Sequence, residues 1–91
     1  MVLHLLRLKA DDPDRAVCFS VGKKVGNAVI RNRVRRRMRA VYGGMLGQMP
    51  RGFHAVFVAR SRASEASQDL LALTMVRLLR RAGLLSEVSQ G

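Results

Sequence analysis

The sequence predicts an α+β domain in which a small sheet of three or four strands packs on two helices to form a two-layer sandwich. Three short runs have the alternation or the continuous apolarity of β-strands, and two longer segments repeat their apolar residues with a helical period. Their order along the 91 residues is strand, strand, helix, strand, helix. A chain of this length supports one hydrophobic core, so residues 1–91 are expected to form a single domain.

The first two predicted strands cover residues 1–8 and 16–21. Both faces of the first strand are apolar, which predicts that both are covered. The second strand alternates larger with smaller side chains, and we expect its Cys18 to be a buried, unreactive thiol. Residues 9–15 contain a proline and several aspartates, which favour a turn that would pair the two strands as a hairpin.

A helix is predicted over residues 28–42, after a basic loop. Asn27 is a good N-cap, and Gly43 is expected to end the helix in the left-handed conformation. At about 100° per residue, one stripe of this helix is apolar and would dock on the sheet. The stripe contains Ile30, Val34, Met38 and Val41, and it would include Met45 if the helix ran that far.

The remaining elements are a third strand and a second helix. Residues 53–60 are apolar nearly throughout, which predicts a strand in the interior of the sheet. Residues 67–82 have leucines at helical spacing, and Gly83 is expected to end this helix.

The charge of the chain is strongly unbalanced. Seventeen Lys and Arg residues stand against six Asp and Glu residues, a formal net charge of +11. From residue 15 to residue 62 there are twelve basic residues and no acidic one. Such a field favours a polyanionic partner.

The first helix concentrates this charge. Its outer circumference carries Arg31, Arg33, Arg35, Arg36, Arg37 and Arg39. None has an acidic residue three or four positions away, so the like charges destabilise the helix by a few tenths of a kcal/mol per pair. A helix face that is exposed to solvent and binds nothing would explain two or three arginines. Six favour binding to RNA phosphates, which would neutralise them and release counterions.

The loop before this helix extends the same surface. Lys23 and Lys24 lie between two glycines, and the free amides at the helix start beside Asn27 form an anion site. Asn32 is unusual in the second turn of a helix, because asparagine is a poor helix former. It either bonds its own backbone or contacts RNA, or a hydrated metal ion held by RNA.

Residues 19–36, FSVGKKVGNAVIRNRVRR, resemble the signature of the bacterial ribonuclease P protein family. Residues 57–60 and 78–85 are similar to that family's third strand and last helix, so the resemblance covers about residues 1–85. It implies a mixed sheet with a parallel strand–helix–strand crossover of the rare left-handed sense, the fold of a domain found in a ribosomal protein. Sequence rules alone favour the right-handed sense.

The resemblance also implies two departures from the family. Asn27 stands where the family usually carries lysine. The family has a helix before the first strand, and this chain is expected to lack it, as a domain shortened at its N-terminus.

The function implied by the resemblance is that of a protein subunit in a ribonucleoprotein endoribonuclease. The subunit binds ribonuclease P RNA and helps it to remove the 5′ leader from precursor tRNA. The RNA and its magnesium ions carry the chemistry, so no catalytic residue, metal ligand or cofactor is expected in the chain. By position, the residues that would contact the catalytic RNA are Arg31, Asn32, Arg33, Arg35, Arg36 and Arg39. The residues that would contact the leader are Lys23, Lys24, Asn27 and Arg60.

A ribosomal or other structural RNA-binding protein is the main alternative, since composition alone does not separate the two. A free-standing nuclease would need convergent carboxylates or histidines. The aspartates of residues 11–14 are expected to form turns, and His4 and His54 are expected to be packing residues. A DNA-binding helix-turn-helix lacks its partner helix here, and no apolar run suits a membrane span or a signal peptide. These features predict a cytoplasmic protein.

Overall fold

The fold is taken from a computed structural model that describes residues 1–9 and 11–85. Its strands and helices follow the predicted order: β1 (Val2–Arg7), β2 (Arg15–Val21), α1 (Ala28–Met45), β3 (Phe53–Ala59) and α2 (Gln68–Arg81). Short 3-10 turns occupy Lys23–Val25, Leu46–Gln48 and Ser61–Glu65.

The three strands form one mixed sheet in the order β1-β3-β2. β1 pairs antiparallel with β3, and β2 pairs parallel with β3, with Val21 opposite Ala59. The predicted hairpin between β1 and β2 is therefore wrong, whereas the interior position of β3 is confirmed. The turn residues do shape the connection, where the Asp14 amide donates to Asp12 Oδ1 over 3.0 Å. The turn does not determine which strand β1 pairs with, and the central position buries the β3 residues that face the helices and half-buries the others.

The crossover from β2 through α1 to β3 joins parallel neighbours. Its left-handed sense stays a prediction of the family resemblance.

Both helices pack on the same face of the sheet and enclose one hydrophobic core. Met38 of α1, Phe57 of β3 and Met75 of α2 are fully buried in it. Tyr42 joins the predicted apolar stripe of α1, and its ring lies edge-on to that of Phe57 at a centroid distance of 6.1 Å. The two-layer α+β architecture is thereby confirmed.

The start of α1 is confirmed, but its predicted end is wrong. Asn27 Oδ1 accepts a hydrogen bond from the Ile30 amide over 3.0 Å, as an N-cap does. The helix continues through Gly43 and Gly44 to Met45, because Tyr42 and Met45 both pack on the core and hold the last turn against it. Gly83, by contrast, has φ +78° and follows the end of α2 as predicted.

The sheet face opposite the helices, which we name the open face, is partly exposed. It carries Val2, His4, Leu6, Ala16, Cys18, Ser20, His54, Val56 and Val58. Leu6 is 61% exposed, so the predicted cover on both faces of β1 is not provided by the described residues. Cys18 is exposed rather than buried, because strand alternation directs Phe19 into the core and its neighbours outward.

Candidate nucleic-acid interface

The arginines of α1 fall into three groups around the helix axis. Arg36 and Arg39 are exposed and lie opposite the core-facing residues. Arg35 lies on the flank beside β2, where its Nε donates to the Phe19 carbonyl over 3.3 Å. Arg37 lies on the other flank, where its Nη1 donates to the carbonyl of Ala66, just before α2, over 3.3 Å. The helix thus presents free arginines outward and anchors itself with those on its flanks.

The outer two members of the Arg-Asn-Arg triplet diverge. Arg33 is exposed on the α2 side of the helix. Arg31 is half-buried on the β2 side, and its Nε is buried without a hydrogen-bond partner among the described residues. The six predicted RNA-binding residues therefore share one helix but not one face.

Two shallow grooves flank a ridge made by Arg35 and Arg39. One groove, of about 530 Å³, is lined by Val29, Asn32, Arg35, Arg36 and Arg39. The other, of about 580 Å³, runs along the edge of β2 and includes Val17, Tyr42 and Leu46. Val29 is 74% exposed and Leu46 is 42% exposed. A cationic ridge bordered by exposed aliphatic side chains suits an RNA strand, with phosphates on the ridge and sugars or bases beside it.

The α1 arginines have no acidic partner in the described part of the chain. The contact of a carboxylate with a basic side chain found there joins Asp14 to His54, and neither residue lies on α1. The positive charge of α1 therefore remains available to an external anion.

Asn32 is exposed, and its Oδ1 accepts a hydrogen bond from Arg35 Nη1 over 2.9 Å. The carbonyl is thus bonded to a neighbouring side chain rather than to its own backbone. Asn32 and Arg35 form a connected unit at the edge of the first groove.

The four predicted leader-contact residues lie near one edge of the sheet. Lys23 and Lys24 follow β2 after Gly22, and Arg60 directly follows β3. Because β2 and β3 are parallel and Val21 lies opposite Ala59, both strands end at this edge. The 3-10 turns that follow the two strands contact each other. Asn27 lies at the adjoining start of α1, where its side-chain carbonyl accepts the capping hydrogen bond.

Gly26 shapes this edge. Its φ is +156°, and a Cβ at this position would lie 2.8 Å from Ile30 Cγ2. Glycine therefore allows the lysine turn to approach the first turn of α1.

One polar pair was not predicted. Asp14 Oδ2 lies 2.9 Å from His54 Nε2 at the end of the open face, so His54 is not a simple packing residue. The hydrogen bond from His54 lowers the pKa of Asp14, and a backbone hydrogen bond from Arg15 adds to this effect. The two residues are 40 positions apart, and only the parallel register of β2 and β3 brings them together. No spacing in the sequence could have indicated the pair.

In residues 1–9 and 11–85, no three side chains of His, Cys, Asp or Glu gather in a way that could hold a metal ion. Neither helix in this part of the chain is both long and apolar enough to cross a membrane.

Comparison with known proteins gives the family. A family model described as Ribonuclease P matches residues 1–83. A ribonuclease P protein component from Symbiobacterium thermophilum is 37% identical over 84 residues, which cover 92% of this chain and 72% of the relative. A second, from Natranaerobius thermophilus, is 42% identical over 71 residues, covering 78% of this chain and 62% of the relative. The chain thus spans between three-fifths and three-quarters of the length of these two relatives.

Solved structures give the same fold. The RNase P protein of Staphylococcus aureus superposes with a TM-score of 0.79 at 23% identity, covering 92% of this chain and 75% of that one. The RNase P protein of Thermotoga maritima gives a TM-score of 0.73 at 24% identity, covering 87% and 74%. With the match over residues 1–83 and the Arg-Asn-Arg helix in place, the chain belongs to the ribonuclease P protein family.

Proposed function

We propose that this chain is the protein subunit of a ribonuclease P ribonucleoprotein, which it joins by binding the catalytic RNA through α1. The observation that carries the proposal is the outward face of α1, where exposed arginines lie without acidic partners among the described residues. Arginine suits this role because its planar fork can donate two hydrogen bonds to one phosphate. The RNA and its magnesium ions would carry out the hydrolysis.

The residues proposed to bind the catalytic RNA are Arg31, Asn32, Arg33, Arg35, Arg36 and Arg39. Arg33, Arg36 and Arg39 are exposed and are free to follow a phosphate backbone. Arg31 and Arg35 are half-buried beside β2, which gives them more fixed positions.

The 5′ leader of precursor tRNA is proposed to bind at the edge where β2 and β3 end, and across the adjoining open face. Lys23, Lys24, Asn27 and Arg60 would hold its phosphates. The exposed apolar side chains of the open face, such as Leu6, would contact its bases. This arrangement separates the substrate from the catalytic RNA, since the outward face of α1 and the open face lie on opposite sides of the two layers.

Reconstitution with a bacterial ribonuclease P RNA tests the proposal. Cleavage of precursor tRNA is measured at low magnesium concentration with and without the chain, because a cationic subunit should replace part of the counterion requirement. We expect faster cleavage with the chain and a steep loss of RNA affinity with salt. About six phosphate contacts would give a log-log slope of about −4 to −5.

The matched control is the double variant Arg36→Glu/Arg39→Glu, which should bind the RNA weakly and stimulate cleavage little. Tight binding by the natural chain with no effect on cleavage would instead favour a structural RNA-binding role. A slope near zero would contradict the electrostatic basis of the proposal.

A further inference from the structure

Arg35 differs from the outward-facing arginines because its guanidinium is committed to two protein acceptors. Nε donates to the Phe19 carbonyl on β2 over 3.3 Å, and Nη1 donates to Asn32 Oδ1 over 2.9 Å. The side chain is half-buried, whereas Asn32 is exposed. Arg35 therefore connects the sheet edge to the one amide side chain of the Arg-Asn-Arg triplet.

These two bonds determine which part of the Asn32 amide is available to a ligand. A carboxamide offers a carbonyl acceptor and an NH₂ donor. One lone pair of the carbonyl oxygen accepts from Arg35, and the NH₂ group, which has no partner among the described residues, lies at the groove formed with Val29, Arg36 and Arg39. A free donor beside cationic side chains suits an RNA acceptor, such as a phosphate oxygen or a base nitrogen or carbonyl.

The same geometry opposes an interaction with a hydrated cation. A metal-bound water would have to donate to Asn32 Oδ1, which would place the ion beside the Arg35 guanidinium. Arg36 and Arg39 line the same groove and add to the repulsion.

We propose that Asn32 binds the RNA as a hydrogen-bond donor and that Arg35, besides its own proposed contact with phosphate, is a positioning residue that holds the Asn32 amide in this orientation. The proposal rests on the proposed binding of ribonuclease P RNA by α1 and specifies the chemistry of one contact in it. It predicts which substitution of Asn32 weakens RNA binding more, and whether a substitution of Arg35 adds to that loss.

The first test compares Asn32→Ala with Asn32→Asp. Aspartate keeps an acceptor for Arg35 but loses the NH₂ donor and adds a negative charge. The affinity for ribonuclease P RNA should fall about tenfold in the alanine variant, as for the loss of a hydrogen bond to RNA. It should fall further in the aspartate variant. If the Asn32→Asp variant binds the RNA as tightly as the natural chain, or more tightly than the Asn32→Ala variant, the oxygen contacts a cation and the proposal is overturned.

The second test is a double-mutant cycle between Asn32→Ala and Arg35→Lys. Lysine keeps the charge but lacks the fork that reaches both acceptors. If Arg35 acts through Asn32, Arg35→Lys loses about tenfold alone and adds no further loss to Asn32→Ala. Arg36→Lys is the matched control, because the structure shows no bond between Arg36 and Asn32, and its effect should multiply with that of Asn32→Ala. Multiplying losses for Arg35→Lys would overturn the positioning role.

Thermal denaturation shows whether each variant folds. If Arg35→Lys weakens the fold by losing the Phe19 contact, the comparison at the exposed Asn32 still decides the donor assignment. Failure of the natural chain to bind ribonuclease P RNA would contradict the proposed function itself. Normal binding with the wrong order of Asn32 variants would contradict only the donor role of Asn32.

Discussion

Some arginine side chains of α1 fix the helix to neighbouring elements, and others extend outward from it. Arg35 and Arg37 donate to carbonyls of β2 and of the segment before α2, which fixes the helix at both flanks. Arg36 and Arg39 have no such bond in the described structure and face outward. Fixing the helix in this way reduces the conformational freedom that RNA binding must remove.

Gly26 is expected to be required for the geometry of the lysine loop. Replacing it by alanine would impose a rare backbone conformation and a contact of 2.8 Å between the new Cβ and Ile30. We expect Gly26→Ala to lower the free energy of unfolding by about 1–3 kcal/mol, measured by urea denaturation. Gly22→Ala is the control, because its added Cβ meets nothing within 4 Å and its φ is −79°. Equal losses in the two variants would argue against a special role for Gly26.

The pair between Asp14 and His54 gives a prediction about pH. His54→Ala should raise the pKa of Asp14 toward the ordinary value of about 3.9, measured by NMR titration of the carboxyl group. The rise should be incomplete, because the backbone hydrogen bond from Arg15 remains.

The sign of the linked stability follows from the lowered pKa of Asp14. Its contribution is present above the unfolded-state pKa, near 4, and is lost as the pH falls through the lower folded-state value. The difference in unfolding free energy between the natural chain and Asp14→Asn should therefore shrink below about pH 4. The effect should be small, since the carboxylate is largely exposed. A difference that does not change between pH 6 and pH 2 would contradict the link.

At the scale of elements, α1 provides a direct test of where the helix ends. Gly43 is helical and exposed, and an added Cβ would meet nothing within 4 Å. Gly43→Ala should therefore raise the unfolding free energy by about 0.5–1 kcal/mol in urea denaturation. If the helix ended there in a left-handed residue, alanine would destabilise the protein instead.

The two helices should differ in their importance for RNA. Arg36→Glu/Arg39→Glu reverses two outward charges on α1, and Arg77→Glu/Arg81→Glu makes the same change in formal charge on exposed arginines of α2. We expect the α1 variant to lose more affinity for ribonuclease P RNA and to reduce the salt slope by about 2, as for two phosphate contacts. Binding is measured by filter retention across a salt series. Equal losses would show that the interface is not centred on α1.

The existence of these elements and the central position of β3 could be predicted from the sequence, whereas the partner of β1 could not. Helical spacing correctly identified the stripe of α1 that packs on the core, and Asn27 correctly marked the start of α1. The hairpin was wrong because a turn fixes the local path of the chain, while strand order depends on which strand buries most apolar surface between two neighbouring strands.

The same limit applies to the candidate site. The arginine pattern predicted the cationic helix, because six charges without acidic neighbours are visible in the sequence. The division into anchored and outward arginines was not predictable, since it depends on the carbonyls of Phe19 and Ala66, which lie on other elements. Cys18 was misplaced because strand position, rather than the hydrophobicity of the neighbours, decides which face a side chain occupies.

At the scale of the whole molecule, the protein is thin, with principal extents of 40 × 32 × 18 Å. The outward face of α1 and the open face of the sheet lie on the two broad sides. A domain of this shape could contact the catalytic RNA on one side and the leader on the other. Because the molecule is thin, its seventeen basic side chains lie close to one another.

The net charge of +11 should therefore govern the stability of the free protein. Added sodium chloride screens the mutual repulsion of the basic groups, so the melting temperature should rise between about 10 and 200 mM salt, where the Debye length falls from about 30 Å to less than 10 Å. Screening worth about 1 kcal/mol would raise it by about 4–8 °C for a domain of this size. Arg77→Glu/Arg81→Glu lowers the formal charge by four and should show a weaker salt dependence. Over the same salt range the affinity for RNA should fall, because counterion release is then less favourable. A melting temperature that stays constant or decreases with salt would contradict a destabilising effect of the net charge.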